Sequence, residues 1–169
     1  DMTLSKDNYW LVTGPTLIED GVTVTVTEGT QIQFYGVYTP ETDRNQVRPY
    51  IQVEGNLVIT GSEAQPVHIF PGLGWENYPI HILNKDSGYT SISYTRIASP
   101  IIGHAYNIFL NLPGYKRINS VDHAHFYSES GCVIAFDHRS IRWGPRSCQS
   151  PVVNAYNISN TIFTNLGTD

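Results

Sequence analysis

The chain has 169 residues, of which 40% are hydrophobic and 15% charged, and its formal net charge is −5. This length suits one domain or two very small ones, and the low charged fraction excludes a coiled coil or a charged disordered tail. No apolar run approaches the roughly 18 residues of a membrane span. The basic residues are scattered, which argues against nucleic acid as a partner.

Short strands are predicted along most of the chain. Apolar and polar residues alternate, and β-branched side chains favour a pleated surface. Helical spacing is nearly absent, because most windows are interrupted by one of the 14 Gly or 10 Pro residues. The sequence therefore predicts an all-β domain. In chain order, the predicted strands lie at 22–27, 31–34, 50–53, 56–61, 66–70, 79–83, 90–94, 120–126, 132–136 and 158–163.

Three connections are too long for tight hairpin turns. They run from Tyr35 to Arg48, from Ala105 to Arg117 and from Asp137 to Ser150, and each is polar and aromatic with Pro or Gly. Loops of this length on a regular scaffold often contain functional residues. The third follows Cys132 and contains Cys148. The two cysteines either form a disulfide, which an extracellular location would favour, or remain two free thiols.

Two sequence frames repeat along the chain. Residues 66–70 and 79–83 share a Pro-apolar-His-Ile-apolar frame, and a second frame recurs at 91–97, 120–126 and 158–163. Such repeats suit a solenoid with coils of roughly 22–25 residues and loop insertions. Gly29, Gly55 and Gly61 are expected to turn the corners with positive φ. The predicted inward column comprises Val22, Val24, Val26, Ile32, Phe34, Ile51, Val53, Leu57, Ile59, Ile69, Ile80 and Ile82.

The first half of the chain resembles a known family. Residues 17–34, the V-x-G-x-L-x-x-x-G pattern ending at Gly61, and the Pro-apolar-x-apolar-Phe segment ending at Phe70 are similar to the opening rungs of right-handed parallel β-helix (pectin-lyase-like) proteins. The resemblance implies a right-handed parallel β-helix solenoid of about five or six coils with three long loop insertions. That coil carries lyases, hydrolases, epimerases, adhesins and polysaccharide-binding surface proteins, so it does not define one activity.

The expected organisation is a single β-helix domain over residues 1–169, a fragment of a longer secreted or surface protein. The last predicted strand ends at Phe163, close to the final residue, which leaves no segment to cover that end of the stack. Uncovered strand edges pair with other chains, so we expect either a longer parent protein or end-to-end self-association. Few Lys residues, many Thr, Tyr and Asn residues and Pro-rich loops favour an extracellular location.

The segment Asp122-His123-Ala124-His125 is a candidate metal site. On one strand, His123 and His125 would point to the same face and Asp122 to the other. A pair of histidines lacks the third ligand of a catalytic zinc site. The alternative, which we favour, is a ladder of polar side chains on one face of the coil that includes His68 and His81. We therefore expect no metal and no cofactor.

Aromatic side chains in the loops are the better functional candidates, because sugar rings stack on aromatic rings. The preferred hypothesis is a non-catalytic extracellular domain that binds polysaccharide or another surface ligand. One alternative is a polysaccharide lyase or other glycoside-active enzyme that uses the basic loop from Arg139 to Arg146; another is a structural spacer or adhesin stalk. The candidate ligand-binding residues are Tyr35, Tyr38, Trp75, Tyr78, Tyr106, Tyr115, Arg139, Arg142 and Trp143.

Overall fold

The computed structural model describes residues 1–35, 49–72, 80–84, 88–98, 100–104, 120–128, 135–137 and 158–165. All regular elements in these ranges are β-strands, which confirms the all-β prediction. No helix in the described ranges is long and apolar enough to cross a bilayer. The strands are β1 (Met2–Leu4), β2 (Tyr9–Val12), β3 (Pro15–Ile18), β4 (Thr23–Val26), β5 (Gln31–Phe34), β6 (Tyr50–Val53), β7 (Asn56–Thr60), β8 (Val67–Pro71), β9 (Ile80–Asn84), β10 (Tyr89–Ser93), β11 (Thr95–Ala98), β12 (Pro100–His104), β13 (Ser120–Asp122), β14 (His125–Ser128), β15 (Ala135–Asp137), β16 (Ile158–Ser159) and β17 (Ile162–Asn165).

The strands form three sheets, and every pairing is parallel. Sheet A has the order β1-β4-β7-β10-β13-β16, sheet B the order β2-β5-β8-β11-β14-β17, and sheet C the order β3-β6-β9-β12-β15. Each strand therefore pairs with the strand three places further along the chain. Consecutive strands always lie in different sheets, so the chain visits sheets A, B and C in turn before it returns to sheet A.

The strand predictions were most accurate in the middle of the chain. Strands β4 to β10 lie within one or two residues of their predicted ranges. The predicted strands at 120–126 and 158–163 were wrong as single strands, because each holds two. His123 separates β13 from β14 and Asn160 separates β16 from β17, and both residues have a positive φ of 47°. A left-handed residue turns the chain, which sends the next strand to another sheet.

The apolar column lies where the sequence places it. All of its predicted members are buried except Val22 and Val24, which are half-buried and pack against the buried cluster. In sheet B, Ile69 pairs in register with Ile32 on one side and with Ile97 on the other, and Ile97 pairs with Phe126. These inward side chains are at most 2% exposed. Alternate residues of the same strands must therefore face outward.

The three predicted corner glycines act in two different ways. Gly29 has a positive φ of 72°, as expected. Positive φ was wrong for Gly55 and Gly61, which instead allow two backbone segments to meet. A Cβ at Gly55 would lie 2.2 Å from the carbonyl oxygen of Val22, and one at Gly61 would lie 2.1 Å from that of Tyr94. Only glycine fits at such a distance.

Candidate functional site

Most of the predicted ligand-binding residues lie outside the described residues. Tyr35 lies within the described residues and is 42% exposed. The greater part of each of the three long connections lies outside the described residues, so the hypotheses built on them stay predictions. Residues outside the described ranges include Tyr38, Trp75, Tyr78, Tyr106, Tyr115, Arg139, Arg142 and Trp143, and both Cys132 and Cys148.

The described residues bring a different set of side chains together on the outer face of sheet B. Because all the strands are parallel and in register, outward residues form two straight rows across the sheet. The central row is Tyr9, Gln31, His68, Arg96, His125 and Ile162. The side row, two residues further along each strand, is Leu11, Gln33, Phe70, Ala98, Tyr127 and Thr164. Within it Ala98 is buried, and Phe70 and Tyr127 are partly buried against the core cluster.

Aromatic and amide groups occupy one end of this face. The Tyr9 hydroxyl donates a hydrogen bond of 3.0 Å to Gln33 Oε1, and the Tyr9 and Phe70 rings meet edge to face with centroids 6.4 Å apart. Tyr35 lies beside them: a Cβ on Gly72 would be 2.5 Å from Tyr35 Cδ2 and 3.4 Å from Gln33 Nε2. Gly72 therefore makes room for the Tyr35 ring. We call Tyr9, Gln33, Tyr35 and Phe70 the aromatic end.

The middle of the face is basic. Arg96 pairs in register with His68 on one neighbouring strand and with His125 on the other, at the ~4.8 Å spacing of paired strands. Arg96 is exposed and the histidines are half-buried. Burial first, and then the charge of Arg96, lowers the pKa of both His68 and His125 below the ordinary value. We call these three residues the basic row.

His125 is held in place on both sides. Its Nε2 lies 2.9 Å from Thr164 Oγ1, and its ring is tilted against the Tyr127 ring with centroids 5.7 Å apart. The threonine hydroxyl can accept from a protonated imidazole or donate to a neutral one, so this hydrogen bond suits both charge states. The ring position is therefore fixed before any ligand arrives.

The predicted arrangement of His123 and His125 was wrong. The left-handed backbone at His123 places this residue at the corner between sheets A and B, so it does not share a strand with His125. His123 Nδ1 lies 2.8 Å from Asp122 Oδ2, and its ring stacks on Tyr94 with centroids 4.5 Å apart. Among the described residues, no three His, Cys, Asp or Glu side chains are placed to hold a metal ion.

Asp122 is the centre of this corner. Its Oδ1 accepts hydrogen bonds from Ser159 Oγ at 2.6 Å and Asn160 Nδ2 at 3.0 Å, at the end of the paired strand β16. The serine thus contacts the aspartate and not the imidazole, which is the wrong order for a nucleophilic triad. Ser159 first, then His123 and Asn160, lowers the pKa of Asp122 from 3.8 to about 2. The corner is a structural clamp between the ends of the paired strands β13 and β16.

Acid should weaken this clamp, and Asp122→Asn tests it. A carboxyl group whose pKa is lower in the folded chain stabilises the fold above its ordinary pKa, and this contribution is lost as the pH falls from 3.8 towards about 2. Urea unfolding at several pH values in this window should show a steeper loss of stability for the parent chain than for Asp122→Asn. Equal pH slopes for the two proteins would contradict the clamp.

The predicted polar ladder is partly correct. His68 does lie in an outward row, but His81 is on β9 in sheet C, where its Cα partner is Tyr50, so the two histidines do not share a face. The row that does form, with Arg96 between His68 and His125, was missed. The second repeated frame carried the signal for this row. One copy ends at Ile97 and the next at Phe126, so alignment of the two copies places Arg96 opposite His125.

Family models, curated proteins and solved structures were compared with the chain, and none of them matches it.

Proposed function

We propose that the chain is a right-handed parallel β-helix that binds an extended polysaccharide along the outer face of sheet B. The proposal includes an extracellular or cell-surface location and a non-catalytic role. The observation that carries it is the outer face of sheet B, where the exposed rings of Tyr9 and Tyr35 lie on one regular surface with amide and basic side chains.

The strand order supports the β-helix. Three parallel sheets that each take every third strand are consistent with a chain that winds once around a common interior for each set of three strands. The buried Ile and Val residues fill that interior. Crossover connections between parallel strands of one sheet are right-handed in about 98% of cases, which favours a right-handed coil. On this basis the described strands make six turns, the last of them holding β16 and β17.

The aromatic end supports glycan binding. Sugar rings present flat C–H faces that stack on aromatic rings, and amides supply hydrogen bonds to hydroxyl groups. Tyr9 is 54% exposed and Tyr35 is 42% exposed, so both rings are accessible. The Tyr9–Gln33 hydrogen bond and the edge contact with Phe70 fix the ring orientation in advance, which lowers the entropy lost on binding.

A titration of soluble polysaccharides, followed by calorimetry, tests this function. We expect binding to at least one soluble glycan, and we expect Tyr35→Ala to weaken it roughly two- to twelvefold, since one aromatic contact contributes about 0.5–1.5 kcal/mol. Leu17→Ala is the matched control, because Leu17 is 49% exposed but lies on β3 in sheet C. No binding to any glycan, or equal losses in the two variants, would overturn the proposal.

A further inference from the structure

We propose that the basic row is a binding site for the anionic groups of the glycan, a carboxylate or a sulfate ester, with Arg96 as the central contact and His68 and His125 on either side. This inference rests on the proposed function, and it names the chemical class of the ligand.

The distribution of charge is the first argument. The chain has a net charge of −5, yet every charged side chain on the described outward positions of sheet B is basic. Carboxylates lie instead beside this face, at the corner that leads into it. The charged residues of that corner are Lys6, Asp7, Glu28, Glu63, Asp122 and His123. A guanidinium on this face, with carboxylates at the neighbouring corner, attracts the anionic groups of a chain to the central row.

The register is the second argument. Groups of like charge placed directly opposite each other on paired strands destabilise a sheet. Arg96 lies in register with both His68 and His125, so protonation of either imidazole creates such a pair, and burial first, then the charge of Arg96, lowers the pKa of both histidines. An anion bound above Arg96 raises the pKa of both histidines again, because an opposite charge nearby favours the protonated imidazole. The guanidinium can hold a carboxylate or sulfate oxygen pair through two N–H donors.

The face as a whole suits a polymer and not a small ion. The basic row continues into the aromatic end through Gln31, which lies in register between Tyr9 and His68. The strand spacing of ~4.8 Å is about the length of one sugar residue, so successive residues of a glycan running along the row meet successive strands. The rings hold the sugar, and the basic row selects its charge.

Binding should also take up protons. The pKa of each histidine is lowered below the ordinary 6.5, and a bound anion raises it again, so affinity increases as the pH falls below 6.5. The other groups facing the basic row are Gln31, Ile162 and Tyr127, and Asp122 at the corner stays ionised because its pKa is about 2. The two histidines therefore account for the pH dependence.

Three derivatives of one polymer separate this inference from the proposed function. Hydroxyethyl cellulose is neutral, carboxymethyl cellulose carries carboxylates and cellulose sulfate carries sulfate esters, while the backbone stays the same. Methyl-esterified and de-esterified polygalacturonate form a second matched set. We expect a charged member of at least one set to bind at least about tenfold more tightly than its neutral counterpart at pH 6. The preferred charged member identifies which anionic group the row takes.

Arg96→Gln replaces the guanidinium by a shorter, neutral amide side chain, and it should reduce affinity for the charged glycan to that of the neutral one. Lys6→Gln is the control for net charge, since Lys6 lies at the corner and binds Gln65. It should change affinity less than about twofold, as is usual for a peripheral charge. Calorimetry in buffers of different ionisation enthalpy should detect proton uptake at pH 6, which the double variant His68→Gln/His125→Gln should abolish.

Equal affinity for neutral and charged glycans would overturn the anion site and leave the proposed function standing. No binding to any glycan would overturn both. Tighter binding of a single-stranded oligonucleotide than of every charged glycan would also overturn the inference, because the row would then serve nucleic acid.

Discussion

Replacing Gly55 by alanine is expected to lower the free energy of unfolding by about 4 kcal/mol or more. Single substitutions reach a loss of this size only when they cause a specific structural fault. The new Cβ would lie 2.2 Å from the carbonyl oxygen of Val22 and 2.3 Å from that of Glu19. Both obstacles are backbone atoms, so no side-chain rotation relieves the contact. The same corner carries hydrogen bonds from Gly55 N to Ile18 O and from Tyr89 N to Gly55 O, which would be displaced with it.

Gly21→Ala is the matched control for this substitution. Gly21 has a positive φ of 76°, but no atom lies within 4 Å of a Cβ placed there. Alanine at Gly21 should therefore cost only the strain of a left-handed residue, about 1–2 kcal/mol. Urea unfolding of both variants distinguishes close approach from backbone strain. If the two variants were equally destabilised, close approach of the backbone at Gly55 would not be the cause of its loss of stability.

Much of the fold was predictable because burial on one side leaves a period of two in the sequence. The alternation at 31–34 and 50–53 gave β5 and β6 with correct bounds. Strands β1 to β3 were missed, since they carry exposed apolar residues such as Met2 and Leu11 that break the alternation. The turns at His123 and Asn160 were missed because neither residue is a glycine, and only the backbone reveals their left-handed conformation.

The basic row could not be predicted for a different reason. Whether two residues in different strands are neighbours depends on the length of every corner and loop between them. His68 and Arg96 are separated by strands in two other sheets, and Arg96 and His125 by the long second connection. The sequence draws attention to residues that are close together along the chain, such as His123 and His125. The left-handed turn at His123 separates these two residues.

Phe126→Ala is expected to cost about 3–5 kcal/mol, the usual range for removing a buried phenylalanine ring. Phe126 is fully buried, and it is the largest of the fully buried side chains in the described part of the chain. Its backbone pairs in register with Ile97 and Phe163, and its ring lies within the buried apolar cluster. Ile162→Ala is the control: Ile162 is 62% exposed and should change stability by no more than about 0.5 kcal/mol.

The same substitution connects the core to the binding face. Phe126 lies between His125 and Tyr127 on β14, so the inward ring supports the strand that presents both outward side chains. Glycan binding by Phe126→Ala should fall in step with the fraction unfolded as temperature rises, and it should match the parent chain at temperatures where circular dichroism shows full folding. Arg96→Gln should behave in the opposite way, with weakened binding and a stability no lower than that of the parent chain. If Phe126→Ala were no less stable than Ile162→Ala, the ring would not support the column, and the inward face assigned to sheet B would be wrong.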